Sequence, residues 1–464
     1  MTTTRFQIDN PYTGELVAER PYASRAEAFA ALERAAKTQR DCSGRGVPDR
    51  VSICERFCIA VEAARETIAH EVTAQTGKPL WQAKGEVNTM LARARHLISI
   101  AAASLADEAQ APLPGLTRFI RHEPVGVVLQ IAAWNYPLLV VINVILPAIL
   151  AGNAVLLKHA PRTALSAETF AKLFIDAGAP EGLVQALHAD HATCAELIAR
   201  DEIGYVAFTG SVRGGREVSA ECANRFLDVG LELPGKDPVY LASDANLEHA
   251  IVNVVDGAMY NAGQSCSGVK RIYVHDSLYK EFVEGAEAEA KKLILGDPLL
   301  ASTSMGPMAM PDAPGKLLAI VEEARTKGGR VLCGGKPASE LGRGRFFEPT
   351  LIADATHAMR GLMIDEVFGP LVGICKVKSD DEAVLRMNDS PFGLTAAVWT
   401  QDQTRAFHLG AQLQAGTFFM NRCDYTDPAL PWTGVKNSGR GVSLSRYGFL
   451  SITRRKSFNL RTQT

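Results

Sequence analysis

A chain of 464 residues is too long for one compact core, so two or more domains are expected. Its 47% hydrophobic and 22% charged residues suit a globular protein, and a net charge of -2 without long runs of one sign gives no polyanion-binding surface, so nucleic acid is not an expected partner. Nine cysteines, widely spaced and without a Cys-x-x-Cys pair, argue against a disulfide framework and a zinc site and point to a reducing, cytoplasmic compartment.

The start, Met1 to Phe6, has no apolar signal-peptide core. The first hundred residues read as helical, with apolar residues at helical spacing over 24–36 and 50–76. Ser24 and Glu27 have the spacing of a capping box, and Gly77-Lys78-Pro79 ends the second helix. From Val125 the texture changes. Apolar strands over 125–133, 154–158, 183–187, 203–208 and 226–233 alternate with helices over 137–151 and 166–177, which implies a mostly parallel sheet covered on both faces. The stretch 138–151 is too short for a bilayer and is interrupted by Asn143 and Pro147, so no membrane partner is expected. Beyond Pro238, strands at 239–242, 271–274, 395–399 and 417–421 with helices at 247–261 and 277–293 suggest a second α/β domain. The tail, 451–460, reads as an exposed edge strand that would join a sheet of another subunit, so a homodimer or homotetramer is expected.

Three residues supply what covalent chemistry on a carbonyl requires. Cys266 lies in Asn261-Ala262-Gly263-Gln264-Ser265-Cys266-Ser267, where small neighbours leave room for a substrate, and its thiolate is the expected nucleophile. Glu232 ends an apolar run between Leu231 and Leu233, where partial desolvation raises a carboxyl toward the range useful to a general base. Asn135, in Trp134-Asn135-Tyr136-Pro137, can donate to a developing oxyanion together with the Cys266 N–H; it also suits a cap for the helix at Pro137. No Gly-x-Gly-x-x-Gly occurs, and Gly230 to Asp237 fails as a Walker A loop because Asp237 stands where a hydroxyl belongs and a strand follows. Gly210-Ser211 with Gly215 opens a helix after a strand, where backbone N–H groups and the macrodipole can hold a pyrophosphate.

Taken in order, these segments resemble the motifs of the aldehyde dehydrogenase superfamily. Trp134 to Pro137 resembles the family's Trp-Asn-Phe-Pro, and Ala151 to Lys158 resembles its Ala-Gly-Asn-Thr-Val-Val-Leu-Lys. Gly210-Ser211 with Gly215 matches Gly-Ser-x-x-x-Gly, Gly263 to Cys266 resembles Gly-Gln-x-Cys, and Glu366 to Pro370 resembles Glu-x-Phe-Gly-Pro. The resemblance implies an α/β fold with a Rossmann-type cofactor domain (1–105 and 123–234), an α/β catalytic domain (235–445) and a small β oligomerisation arm (106–122 and 446–464). It implies a non-acylating NAD(P)-dependent enzyme without a metal. Trp134, Lys158, Gly210, Ser211, Gly215, Glu366 and Phe368 would bind the cofactor, Lys158 at the adenosine ribose and Glu366 and Phe368 at the nicotinamide ribose and ring.

Two departures stand out. The family's Lys-Pro-x-Glu continues here as Lys158-His159-Ala160-Pro161, so the carboxylate that would bind the ribose hydroxyls and repel a 2′-phosphate is missing. With Arg162 and Arg213 nearby in sequence, NADP is as acceptable an expectation as NAD. The family's Glu-Leu-Gly-Gly becomes Glu232-Leu233-Pro234-Gly235, which removes a backbone donor beside the base.

By family alignment, Tyr136, Val140 and Asn143 face the pocket, and Arg422 to Trp432 lines its entrance with Tyr425 and Trp432. Relatives acting on succinate semialdehyde have arginine at the Asn143 position, so the expected substrate is an apolar or aromatic aldehyde. Arg422 keeps a dicarboxylic semialdehyde as the alternative. Two readings from other classes are a cysteine hydrolase based on His249 or His275, and a catalytically silent relative that serves as a binding or structural protein, for which Pro234 is the argument.

Overall fold

Strands buried on both faces need no alternation of polar and apolar residues. The apolar runs at Val127–Ala132 and Ala154–His159 are buried at every position and form the centre of a six-stranded sheet. In the computed structural model, which describes residues 4–42 and 44–462, the sheet runs Gly439–Arg440, Val229–Glu232, Ile203–Thr209, Val127–Ala132, Ala154–His159, Val184–Ala186. All neighbours are parallel except the edge strand Gly439–Arg440. Residues 1–3, where the absence of a leader was read, and the last two residues of the expected arm lie outside the described residues.

A second sheet of seven strands runs Arg330–Cys333, Thr350–Ala353, Leu371–Val377, Val269–His275, Asp237–Leu241, Thr395–Trp399, Thr417–Met420, antiparallel only at Arg330–Cys333. The tail strand Thr453–Arg461 pairs along its whole length with Leu116–Pro124, and Glu108–Ala109 completes a small antiparallel sheet.

Several elements depart from expectation. The helix expected over 50–76 is two, Val47–Ala63 and Arg65–Thr76, which meet at Ala64. A hairpin of Arg5–Asp9 with Leu16–Pro21 precedes the helices; its short, mostly half-buried strands carry no long apolar run to betray them. The helix expected from Pro137 starts at Leu139 and has no side-chain cap of its own, so Asn135 does not cap it. Instead the Glu86 carboxylate, from helix Leu80–Ser104, accepts the Leu138 and Leu139 N–H groups at 2.9 and 3.4 Å. No helix among the described residues is long and apolar enough to cross a membrane.

Candidate active site

Cys266 hangs from a loop whose shape is dictated by its motif. Asn261, Ala262 and Gly263 all take left-handed φ, at 54°, 53° and 64°. A Cβ on Gly263 would lie 2.1 Å from the Gly369 carbonyl oxygen, so only glycine fits. Buried Lys270 donates to the Gly263 carbonyl at 2.7 Å and to that of Gly369 at 2.9 Å, which joins the Cys266 loop to the Glu366–Pro370 segment. Gln264 Oε1 accepts the Ala309 N–H, so the motif's amide fixes the loop from its other side. The Cys266 N–H has no acceptor among the described residues.

Asn135 faces this loop from the turn after Val127–Ala132. Its Nδ2 donates to the Gln264 carbonyl at 3.2 Å, and its own carbonyl accepts Lys78 Nζ and Asn261 Nδ2, both at 3.1 Å. Lys78 is fully buried and paired with Glu86, whose carboxylate is equally buried. That ion pair pins the turn from both sides and lies in no motif read from the sequence. The Tyr136 ring stacks under Lys78 Nζ at 4.1 Å.

Glu232 closes the strand Val229–Glu232. Ser443 Oγ donates to its Oε1 at 2.6 Å and Thr209 Oγ1 to its Oε2 at 3.3 Å. Burial raises its carboxyl, against these two hydroxyls and the nearby Arg93. The proline next to it removes no bond the segment uses. Leu233 N–H donates to the Ser438 carbonyl and Gly235 N–H to the Cys266 carbonyl, so the missing donor of Pro234 falls between two residues that supply theirs. A Cβ on Gly235 would lie 2.6 Å from that Cys266 carbonyl.

A cavity of about 290 Å³ holds Cys266 and Glu232 at its inner end. All five residues expected in the substrate pocket, Tyr136, Val140, Asn143, Tyr425 and Trp432, line it. Its walls are not apolar, however. Arg93, on helix Leu80–Ser104, is 7% exposed and donates to Asn143 Oδ1 at 3.1 Å. The position read as neutral therefore carries a guanidinium supplied by another helix. The signal in the sequence was a charge on the buried stripe of Ala83, Val87, Met90, Ala94 and Leu97. Arg422 is not the pocket's cation: it is exposed and lies over the Tyr425 ring at 3.6 Å. Asp424, within the segment expected at the entrance, also lines the cavity, as does Asp256, which was missed. Ser265 and Ser267 hydroxyls donate to Asp424 Oδ1 at 3.2 and 2.6 Å.

Burial pushes the Cys266 thiol up to about 12, and Asp424, Glu232 and Asp237 add to that, against Ser267. No histidine lines the cavity: His249 bonds the Asn421 carbonyl, and His275 bonds Ser277.

Trp134, next to Asn135, and Phe368, next to Gly369, meet edge to face, with ring centroids 5.4 Å apart. Ser211 caps helix Val212–Ala223 by accepting the Gly214 N–H at 3.2 Å, and a Cβ on Gly215 would lie 2.7 Å from Leu233, so Gly215 lets helix and strand close together. Gly210 occupies the turn from strand Ile203–Thr209 into this helix. Lys158 is buried at the carboxyl end of its strand, and His159 beside it is pushed down to about 3 by burial, hence neutral. Arg162 is not free for a phosphate, because it bonds Asp9 and the Gln75 carbonyl. Arg213 is exposed, 3.7 Å from Glu217. Pro161 opens a short 3-10 turn and brings no carboxylate to the ribose site. These residues fit a dinucleotide: a helix start for the pyrophosphate, an amine at the strand end and a pair of aromatic rings.

The family model described as Aldehyde dehydrogenase family matches residues 1–458. Succinate-semialdehyde dehydrogenase [NADP(+)] of Deinococcus radiodurans is 36% identical over 97% of this chain and 94% of its own. Among solved structures, succinic semialdehyde dehydrogenase from Streptococcus pyogenes with NADP+ superposes with a TM-score of 0.94 at 28% identity, covering 98% of this chain and 100% of that one. A double mutant of betaine aldehyde dehydrogenase from Staphylococcus aureus with NAD+ gives 0.94 at 29%, covering 99% and 94%.

Proposed function

Because the chain belongs to the aldehyde dehydrogenase family, and is therefore an NAD(P)-dependent aldehyde dehydrogenase, we propose that it oxidises an aldehyde carrying a distant carboxylate to the dicarboxylic acid. The observation that carries this reading is Arg93, a buried guanidinium on the wall of the cavity that ends at Cys266. The relatives that act on succinate semialdehyde support it. The apolar or aromatic aldehyde expected from Asn143 finds less support in a wall that holds one guanidinium and several carboxylates.

The Cys266 thiolate adds to the aldehyde carbon, and the carbonyl electron pair moves to oxygen. Asn135 Nδ2 and the unengaged Cys266 N–H receive that oxyanion. Trp134, Lys158, Gly210, Ser211, Gly215, Glu366 and Phe368 would hold the nicotinamide cofactor, which when bound would supply the acceptor for the hydride leaving that carbon. A thioester on Cys266 remains. Glu232 takes a proton from water, the hydroxide adds to the thioester, and Cys266 leaves as thiolate. Glu232 must first exchange its bonds to Ser443 and Thr209 for a water near the thioester. Pro161 leaves no carboxylate to repel a 2′-phosphate, so either NAD or NADP is accepted. We assign the cofactor to residues 1–105 and 123–234, the covalent chemistry to 235–445 and subunit contact to the arm of 106–122 and 446–464.

The test compares kcat/KM for succinate semialdehyde and butanal in the wild type and in Arg93→Met. Succinate semialdehyde should be preferred, and Arg93→Met should remove about two orders of magnitude of that preference, the worth of a charge-assisted bond to a buried partner. A wild type that prefers butanal would sink the carboxylate reading.

A further inference from the structure

The cavity wall holds more charge than a semialdehyde with one carboxylate would use. Its only lysine or arginine among the described residues is Arg93, with 7% exposure and a buried Nε that has no partner. Facing the same cavity are Asp256, Asp424 and Glu232, while Glu86 is neutralised by Lys78. Asp424 takes both seryl hydroxyls on Oδ1, and its Oδ2 has no protein donor among the described residues. The Asp256 carboxylate, on helix Leu247–Met259, has none either. Arg93 forms an ion pair with neither aspartate within 4.0 Å. Arg93 and Lys270 act on Asp424 from beyond ion-pair distance, so opposite charges share one cavity without a contact pair between them.

A substrate with only a carboxylate would take up Arg93 and leave the Asp424 and Asp256 carboxylates without a contact partner. Asp424 is half-buried and Asp256 exposed, and neither has a lysine or arginine within ion-pair distance among the described residues, so each is open to a cation brought by the substrate. The Tyr260 ring on the same wall, unlike those of Tyr136 and Tyr425, carries no lysine or arginine among the described residues and is suited to a cation as well.

We propose that the substrate is a zwitterionic semialdehyde, an aldehyde at one end and an amino-acid headgroup at the other, with the headgroup carboxylate on Arg93 and its ammonium or quaternary nitrogen between Asp424 Oδ2 and Asp256. This rests on the carboxylate reading above and adds the cation to it. A headgroup of this kind holds its two charges a few ångströms apart, so it can bridge a guanidinium and a carboxylate too far apart to pair directly.

The test uses one chain length and adds one charge at a time: hexanal, adipate semialdehyde, and α-trimethylammonio adipate semialdehyde, whose quaternary nitrogen cannot close onto the aldehyde. With the native enzyme and saturating cofactor, kcat/KM should rise from hexanal to adipate semialdehyde, and at least tenfold again to the zwitterion. Asp256→Asn should shrink the second step and leave the first intact or enlarged. A zwitterion no better than adipate semialdehyde overturns this inference and leaves the carboxylate reading standing. If hexanal outranks both charged aldehydes, the two readings fall together. The ranking of the unmodified protein decides the matter even if the variant does not fold.

Discussion

The two sides of Cys266 are built on different principles. Toward Trp134 and Phe368, the site is set by backbone shape. Gly263 must be glycine because of the Gly369 carbonyl, Gly235 because of the Cys266 carbonyl and Gly215 because of Leu233. Lys270 and Gln264 then fasten this backbone from within. Toward the substrate, the wall takes charged side chains from separate elements, among them Arg93 from helix Leu80–Ser104, Asp256 from helix Leu247–Met259 and Asp424 from the loop after strand Thr417–Met420. The first side tolerates almost no change of shape, whereas the second can change its charges while the scaffold stays put. One frame can therefore hold the same thiol chemistry for differently charged aldehydes.

That contrast predicts large losses on the first side and selective ones on the second. The largest concerns the thiol itself. Cys266→Ala should lower kcat by at least about 10³-fold, as removal of a nucleophile does, with cofactor binding retained by fluorescence titration. Appreciable residual turnover would mean that another group carries the covalent step. Next comes the pair beneath the Asn135 turn. Lys78→Met leaves the Glu86 carboxylate buried without its cation, a loss of about 3–5 kcal/mol. The midpoint of urea unfolding should fall accordingly. An unmoved midpoint would show that Glu86 is satisfied by the Leu138 and Leu139 N–H groups alone.

The same contrast explains what the sequence made legible. Alternating apolar strands and helices, the Gly263–Cys266 loop, Asn135 and Glu232 were all readable, because backbone geometry imposes glycines and short spacings on neighbouring positions. Arg93 and Asp256 were not, and Asp424 only as part of the 422–432 entrance segment, because only the folded chain brings helix Leu80–Ser104 over helix Leu139–Ala151 and sets Arg93 against Asn143. The residue at 143 was read correctly, but its charge partner comes from fifty positions upstream. Lys78 and Glu86 sat in a stretch read only as a helix break and a helix. The hairpin at the N-terminus was missed for a simpler reason: strands this short, half-buried on most of their length with Ile8 alone buried among their described residues, leave no hydrophobic pattern.

On the substrate side the expected effects are smaller and more specific. Asp424 is among the anions that hold the Cys266 thiol up. Asp424→Asn removes that charge, so the thiol falls and more thiolate is present at any pH below its titration. Iodoacetamide alkylation of Cys266 at pH 8 should speed up several-fold, with the fold intact by circular dichroism. A rate unchanged or slowed would place the Asp424 charge out of electrostatic reach of the sulfur.

The smallest effect should separate holding from doing. Ser443 does not line the cavity that holds Cys266, yet its hydroxyl is 2.6 Å from Glu232 Oε1, and its backbone is bonded in both directions to Trp432, which does line it. Donation from Ser443 stabilises the Glu232 carboxylate against burial, and its loss must raise the carboxyl further. In Ser443→Ala, Glu232 stays protonated to higher pH, so the acid limb of kcat moves up. Turnover at pH 6 should fall a few-fold and recover toward the wild-type value at pH 9, where the base is ionised in both. Ser443→Thr, which keeps the hydroxyl, should restore the limb. A uniform loss at every pH would mean that Ser443 holds only the strand, whereas a gain at pH 9 would mean that its bond retards the base on its way to the thioester.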